Sequence, residues 1–171
     1  SSAIVQNNSW GIDVQLDTVQ NYITNNSVTT DTAVAAYWTA NGYNANATSV
    51  SNYITALNNF QSHGVIVYAL SNTTSFTEAD FQAALPELYS QLAEAWITAV
   101  NIDKTGSSGG YSYTLQSAPC GATAQYCLAG DGYQIAVAAN ANSTATNLYA
   151  NSAGTSFVAP QISGAIALLA N

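Results

Sequence analysis

Short apolar runs along the chain predict strands of a parallel sheet. Residues 65–70 are continuously apolar and begin with β-branched side chains, a pattern typical of a strand that is buried on both faces. Residues 96–102 alternate between apolar and polar side chains and predict a second strand. Residues 3–7 predict another, with almost nothing before it. We therefore read the start of the chain as a cut within a domain.

Helical periodicity lies between and after these strands. Residues 31–40 predict one helix, and Ser49 is placed to cap a second helix with apolar positions at helical spacing, namely Val50, Ile54, Leu57 and Phe60. Residues 77–94 have a helical pattern that Pro86 interrupts, whereas the polar stretch before Thr30 has no firm periodicity. A helix followed by a buried strand indicates a crossover connection. The predicted fold class is α/β, a parallel sheet flanked by helices.

The last segment of the chain has a different pattern. Residues 155–171 carry no charged side chain and are apolar on nearly every side. This pattern predicts a helix that is buried in the centre of a domain. No internal repeat or low-complexity linker is visible, so we expect residues 1–171 to belong to one domain.

The charge balance narrows the classes of partner. Lys104 is the only Lys or Arg against nine carboxylates, and the formal net charge is -8. Nucleic acid is a poor partner for such a surface. Polarity comes mainly from Asn, Ser, Thr, Gln and Tyr, a composition that favours an exported protein. The chain has neither a signal peptide nor an apolar run long enough to span a bilayer, so we expect no membrane span.

The two cysteines lie close together in the sequence. Cys120 and Cys127 flank a short loop, and no further thiol or histidine lies near them to complete a metal site. A local disulfide is the favoured interpretation for an exported chain, and two buried free thiols are the alternative. We expect no metal and no cofactor.

The candidate nucleophile stands at the start of the last helix. The run Gly154-Thr155-Ser156-Phe157-Val158-Ala159-Pro160 resembles the serine motif of the subtilases. A serine in the first turn of a helix lies at the positive end of the helix dipole, where negative charge on an attacked carbonyl is stabilised. The alternative is that Thr155 or Ser156 only caps a buried helix. The resemblance implies that Ser156 is catalytic and that Gly154 and Thr155 contact the substrate.

A second segment resembles the same family in the expected order. The buried strand ends in Ala69-Leu70-Ser71-Asn72, where subtilases usually have Ala-Ala-Gly-Asn. The resemblance implies that Asn72 donates its side-chain N–H to the oxyanion and that Ala69, Leu70 and Ser71 line the substrate site. Ser71 departs from the family glycine and places a side chain near the specificity pocket. An ordinary turn after a strand is the alternative for Asn72. We expect Ser156 to lie within reach of Asn72.

The first strand leads into a third segment of this kind. Asn7-Asn8-Ser9-Trp10-Gly11 is similar to the subtilase strand whose turn-like exit lines the cleft. An exposed edge there can bind an extended peptide as an added strand. The resemblance implies that Ser9, Trp10 and Gly11 form one wall of the substrate site, while simple packing is the alternative for Trp10.

Two members of the subtilase triad are missing from this chain. In the family the catalytic aspartate and histidine precede the strand that leads to Ser9, and nothing of that kind precedes it here. His63 falls between the first two strands, so we interpret it as a residue of a helix C-terminus. The resemblance therefore covers only the C-terminal portion of a subtilisin-like peptidase domain, with its N-terminal strands absent.

Two functions follow from this resemblance. The first is a serine endopeptidase that cleaves peptide or protein substrates through an acyl-enzyme, with aspartate and histidine supplied by an upstream fragment of the same precursor. The second is a catalytically inactive surface protein, structural or adhesive, on a subtilase scaffold. The segments around Pro86 and the cysteines resemble subtilases carried as passengers of bacterial autotransporters. That likeness implies an extracellular or cell-surface location in a Gram-negative bacterium.

Overall fold

The computed structural model describes residues 3–138 and 149–170. Its strands are β1 (Val5–Asn8), β2 (Val65–Ala69), β3 (Trp96–Ser107), β4 (Gly110–Leu115), β5 (Cys127–Asp131), β6 (Ile135–Ala138) and β7 (Tyr149–Ser152). Its helices are α1 (Leu16–Asn26), α2 (Thr30–Ala40), α3 (Ala47–Gln61), α4 (Leu85–Leu88) and α5 (Thr155–Leu169). Short 3₁₀ segments lie at Ser90–Leu92 and Gly121–Tyr126.

The central sheet confirms the α/β class. Strands β1, β2 and β3 run parallel in that order, and β5 adds to β3 in the same direction. The C-terminal half of β3 pairs with β4 in an antiparallel hairpin. Among the described residues, β1 forms one edge of this sheet. The carboxyl ends of the parallel strands therefore open toward one side, as in other α/β folds with a site at that edge.

One face of the sheet is covered by α1, α2, α3 and the segment between β2 and β3. The core on this side centres on fully buried side chains of β2 and its neighbours, including Tyr68, Phe81 and Leu85. The Tyr68 ring stacks on Trp96 with the ring centroids 5.3 Å apart. Burial of such large apolar surfaces is the dominant stabilising contribution to a domain of this size.

Three sequence expectations on this face need correction. Helix α1 was not predicted, because few apolar side chains mark its buried side and polar residues fill the rest. Residues 77–94 form turns and only the short helix α4, with Pro86 in its first turn. Ser49 is not the cap of α3 but its third residue. Asn46 is the cap, and the two residues exchange side-chain to backbone hydrogen bonds of 2.9 Å in a capping box.

Helix α5 packs on the opposite face of the sheet. Its Val158 and Ala159 form a small buried cluster with side chains of β2 and β3, namely Val67, Ala69 and Ala99. The prediction that this helix is buried on nearly every side is wrong, since Leu168 and Leu169 are 78% and 87% exposed. The described residues that pack on this helix belong to the sheet and to the loops at its carboxyl edge, and the outer side of the helix faces solvent. Residue 171 lies outside the described residues.

The cysteine loop is closed as expected. Cys120 and Cys127 form a disulfide across the 3₁₀ turn that precedes β5. The hydroxyl of Tyr126 in this loop donates a 2.8 Å hydrogen bond to Glu87, which ties the loop to α4. In the part of the chain that the structure covers, none of the helices has the length and apolar character needed to cross a membrane.

Candidate active site

The nucleophile candidate lies at the exposed N-terminus of α5. Ser156 is the second residue of the helix, so its backbone N–H has no acceptor within the helix. Its hydroxyl is exposed and donates a 3.3 Å hydrogen bond to the carbonyl oxygen of Ser9. The helix therefore presents both a hydroxyl and a free N–H at the carboxyl ends of the strands.

Pro160 frees a backbone carbonyl in the first turn of α5. It is the sixth residue of α5, in the second turn, where its N–H would have bonded to the carbonyl of Ser156. That carbonyl accepts a 3.4 Å hydrogen bond from the Ser9 hydroxyl instead. Ser9 and Ser156 thus hold each other through two reciprocal contacts, and the proline leaves one of the acceptors free for this purpose.

Thr155 joins the nucleophile to the oxyanion candidate. Its backbone N–H donates to Oδ1 of Asn72 at 2.9 Å, and its buried hydroxyl donates to the carbonyl of Leu70 at 2.6 Å. Because a backbone N–H can only donate, the atom of Asn72 that faces Thr155 must be the oxygen. The Nδ2 group is then left as a donor, and no acceptor for it is found among the described residues.

These side chains meet in a cavity of about 210 Å³. It is lined by nine residues expected at the site, namely Ser9, Trp10, Gly11, Ala69, Leu70, Ser71, Asn72, Thr155 and Ser156. Gly154 is not among the residues that line the cavity. It lies close to the side chain of Asn72, and a Cβ added to it would be 3.2 Å from Oδ1 of Asn72. Residues 9–11 follow β1 as irregular chain and do not form the expected turn. Two of the expected segments and the helix therefore converge on one space.

Two carboxylates at this cavity were not anticipated. Asp80 is 1% exposed and accepts hydrogen bonds from the backbone N–H groups of Ser71 (2.7 Å) and Ala83 (3.0 Å). Asp13 is exposed and accepts a 2.6 Å hydrogen bond from the Ser71 hydroxyl. Burial, and to a smaller extent the charge of Asp13, raise the pKa of Asp80 to about 6.

Ser71 was expected to project a side chain into the substrate site. Its hydroxyl instead donates to Asp13 and accepts a 3.0 Å hydrogen bond from the N–H of Thr73. The side chain is 9% exposed and both of its hydrogen-bonding functions are used. Ser71 therefore holds the carboxylate in the cavity wall and leaves the cavity open.

Close backbone contacts hold α5 against the sheet. Gly132 accepts a 3.0 Å hydrogen bond from the N–H of Gly154, and its own N–H donates to Oδ1 of Asn101. An added Cβ on Gly132 would lie 2.6 Å from the carbonyl oxygen of Gly154. Glycine is needed here because the loop after β5 passes directly beneath the start of the helix. Sequence reasoning missed Gly132 and Asn101, since neither belongs to a run that predicts chemistry.

Comparison with known proteins decides the family. The model of the subtilase family matches residues 1–171 of this chain. The chain belongs to the subtilase family. No curated protein and no solved structure matched it significantly. Subtilases are serine peptidases, and the substrates of this family are proteins.

Within the described residues, the Ser156 hydroxyl has no hydrogen bond to a side chain that could act as its general base. His63 follows α3 and its Nδ1 lies 3.2 Å from the Ser62 hydroxyl. It stands before β2, whereas Ser156 lies at the carboxyl end of that strand. A strand of this length spans about 16 Å. His63 therefore cannot take the proton from Ser156.

Proposed function

We propose that this subtilase is the serine-bearing part of an endopeptidase that cleaves peptide bonds through an acyl-enzyme. The oxygen of Ser156 attacks the peptide carbonyl carbon, and a general base takes the hydroxyl proton. The tetrahedral intermediate collapses, the C–N bond breaks, and the base returns the proton to the leaving amine. Water then hydrolyses the acyl ester and frees Ser156.

The observation that carries this proposal is the placement of Asn72 beside the start of α5. Thr155 fixes the oxygen of the Asn72 amide, so the Nδ2 donor and the backbone N–H of Ser156 remain available at the same cavity. Two preorganised donors of this kind stabilise the negative charge that develops on the attacked oxygen. A helix cap alone needs neither the buried Thr155 hydroxyl nor the amide of Asn72.

We further propose that an upstream segment of the same precursor supplies the aspartate and the histidine. The Ser156 hydroxyl is exposed, and its contact in the described structure is a backbone carbonyl, which cannot take up a proton. Among the described residues, β1 is an edge strand of the sheet, so a further strand from an upstream segment could pair with it. The disulfide and the family are consistent with an extracellular protein, and we propose a bacterial cell-surface location.

A second function is the alternative, because no general base is hydrogen-bonded to the Ser156 hydroxyl among the described residues. In that case the fold is a scaffold for a structural or adhesive surface protein. A serine without a base has only the residual catalysis of the oxyanion donors and of substrate binding.

Peptide hydrolysis separates the two functions. The intact protein, isolated together with any companion segment, is incubated with an unfolded protein substrate, and new N-termini are counted by mass spectrometry. We expect cleavage that Ser156→Ala abolishes and Ser163→Ala, a control in the same helix, preserves. Equal cleavage by the wild type and Ser156→Ala, or none by any form, would contradict the endopeptidase proposal.

A further inference from the structure

The cavity beside Ser156 has a negatively charged wall. Asp80 lies at its buried end and Asp13 at its exposed end, with Ser71 hydrogen-bonded to both. Only one oxygen of Asp13 has a partner among the described residues. A carboxylate can accept about four hydrogen bonds, so each of the two retains acceptor capacity toward the cavity.

Among the described residues, no cationic side chain lies at this wall to neutralise it. Lys104 is the only Lys or Arg in the sequence, and its ammonium lies over the Tyr111 ring in the β3–β4 hairpin, 4.0 Å from the ring centroid. The single histidine, His63, lies at the opposite end of β2. A buried carboxylate without a cationic partner is costly, and burial already raises the pKa of Asp80. A ligand that brought a positive charge would therefore be stabilised here.

The remaining walls suit the stem of a long cationic side chain. Trp10 is 43% exposed and lines the cavity next to Ile12 and Leu70. Its ring is held by an edge contact with Tyr68, 5.7 Å between centroids. Lysine and arginine pack their methylene stems along such apolar surfaces and keep the charged head near carboxylates or over an aromatic ring.

We propose that this cavity binds the side chain of a lysine or arginine in the substrate, with Asp13 and Asp80 as the residues that determine specificity. The proposal rests on the proposed function, because the bond to be cleaved is the one that the bound residue presents to Ser156. Ser71 acts through Asp13: its hydroxyl orients the carboxylate and is therefore not available to bind the substrate. The negative surface of the chain as a whole also attracts cationic peptides.

Binding of a small probe tests the cavity without requiring catalysis. Benzamidine and its neutral analogue benzamide are titrated into the intact protein by nuclear magnetic resonance. We expect benzamidine to bind about tenfold to a hundredfold more tightly, as for a charge-assisted hydrogen bond to a carboxylate. Asp13→Asn should abolish most of this difference. The asparagine of Asp13→Asn keeps an oxygen that can accept the hydrogen bond from Ser71, and residue 13 is exposed, so we expect this variant to fold. Asp80→Asn is the second variant, and the test does not depend on its folding.

The matched control removes a charge far from the cavity. Glu94→Gln neutralises an exposed carboxylate before β3, at the other end of the strands, and should leave the affinity ratio unchanged. Equal affinities of the wild type for the two probes would overturn the proposal. A similar loss in Asp13→Asn and Glu94→Gln would also overturn it, because net charge alone would then explain the preference.

Hydrolysis of paired peptides distinguishes this proposal from the function on which it rests. Peptides with lysine or its neutral analogue norleucine before the scissile bond are compared by kcat/KM, and we expect at least about a tenfold preference for lysine. Cleavage of both peptides at equal rates would contradict the charged subsite and leave the endopeptidase in place. Tighter binding of benzamidine without cleavage of either peptide would contradict the endopeptidase and leave the cation site in place.

Discussion

The two faces of the central sheet differ in what they contribute to this subtilase. The face under α1, α2 and α3 carries a large closed core with many fully buried side chains. The face under α5 carries five buried residues, and the outer side of its helix is apolar and exposed. The catalytic candidates nevertheless belong to the second face. The first face stabilises the domain, and the second holds the site through a few specific contacts.

The largest effect is expected from a cavity in the first face. Phe81 is fully buried, so Phe81→Ala should lower the free energy of unfolding by about 3–5 kcal/mol. Leu168→Ala on the exposed side of α5 should change it by less than about 0.5 kcal/mol. Guanidinium unfolding monitored by circular dichroism measures both. Similar losses for the two variants would show that the faces do not differ in this way.

Substitutions at the face under α5 should lower catalytic activity more than they lower stability. Asn72→Ala removes the proposed oxyanion donor, and turnover should fall on the order of 10² to 10³, a range taken from subtilisin itself. Asn59→Ala on the exposed side of α3 is the control. Rates with a peptide substrate at saturation give kcat for each. A rise in KM alone, with kcat unchanged, would contradict the assigned role of Asn72.

The pH dependence of stability reports on Asp80, the buried carboxylate of the cavity beside Ser156. The pKa of Asp80 is raised from 3.8 to about 6, chiefly by burial, with Asp13 and Tyr68 as the titratable groups that interact with it. The folded protein then binds more protons than the unfolded chain between these values. Its stability is therefore lost as the pH rises from about 4 to 7, by about 3 kcal/mol at most.

Asp80→Asn is the comparison for this effect, since it removes the titrating group. Unfolding free energies of the wild type and the variant are measured across this pH range, and their difference isolates the contribution of Asp80. A difference that does not change with pH, or that changes in the opposite direction, would contradict the assigned burial.

The smallest change tests the contact beneath α5. Gly132→Ala places a Cβ 2.6 Å from the carbonyl of Gly154, so the start of the helix must shift at a cost of about 1–3 kcal/mol. Gly110→Ala meets open space and is the matched control. Activity should fall with Gly132→Ala more than the loss of stability explains, because Ser156 moves with the helix. An active, fully stable variant would argue against this contact.

The sequence predicted those parts of the fold that rest on local patterns. Strand β2 and helix α2 follow directly from apolar runs and periodicity, and the start of α5 follows from the serine motif. Asp80 could not be predicted, because its role depends on backbone N–H groups of Ser71 and Ala83 that only the folded chain brings to it. Asp80 lies in residues 77–94, whose sequence pattern predicts a helix although the structure forms mainly turns there.

The exposure of α5 could not be predicted either. An apolar pattern on all sides shows that a helix can be buried. It does not show whether other elements of the fold pack against each side. The reciprocal contact between Ser9 and Ser156 joins residues 147 positions apart, and no local signal marks it. Long-range contacts of this kind determine the site, whereas local periodicity determines the elements that carry it.

Covalent labelling tests the central claim most directly. The intact protein, kept with any companion segment, is treated with a fluorophosphonate, and the modified residue is identified by mass spectrometry. An activated nucleophile predicts an adduct on Ser156 alone, lost in Ser156→Ala and slowed in Asn72→Ala. No adduct on Ser156, under conditions in which a control serine peptidase is fully modified, would contradict the assignment of this site as a working active centre.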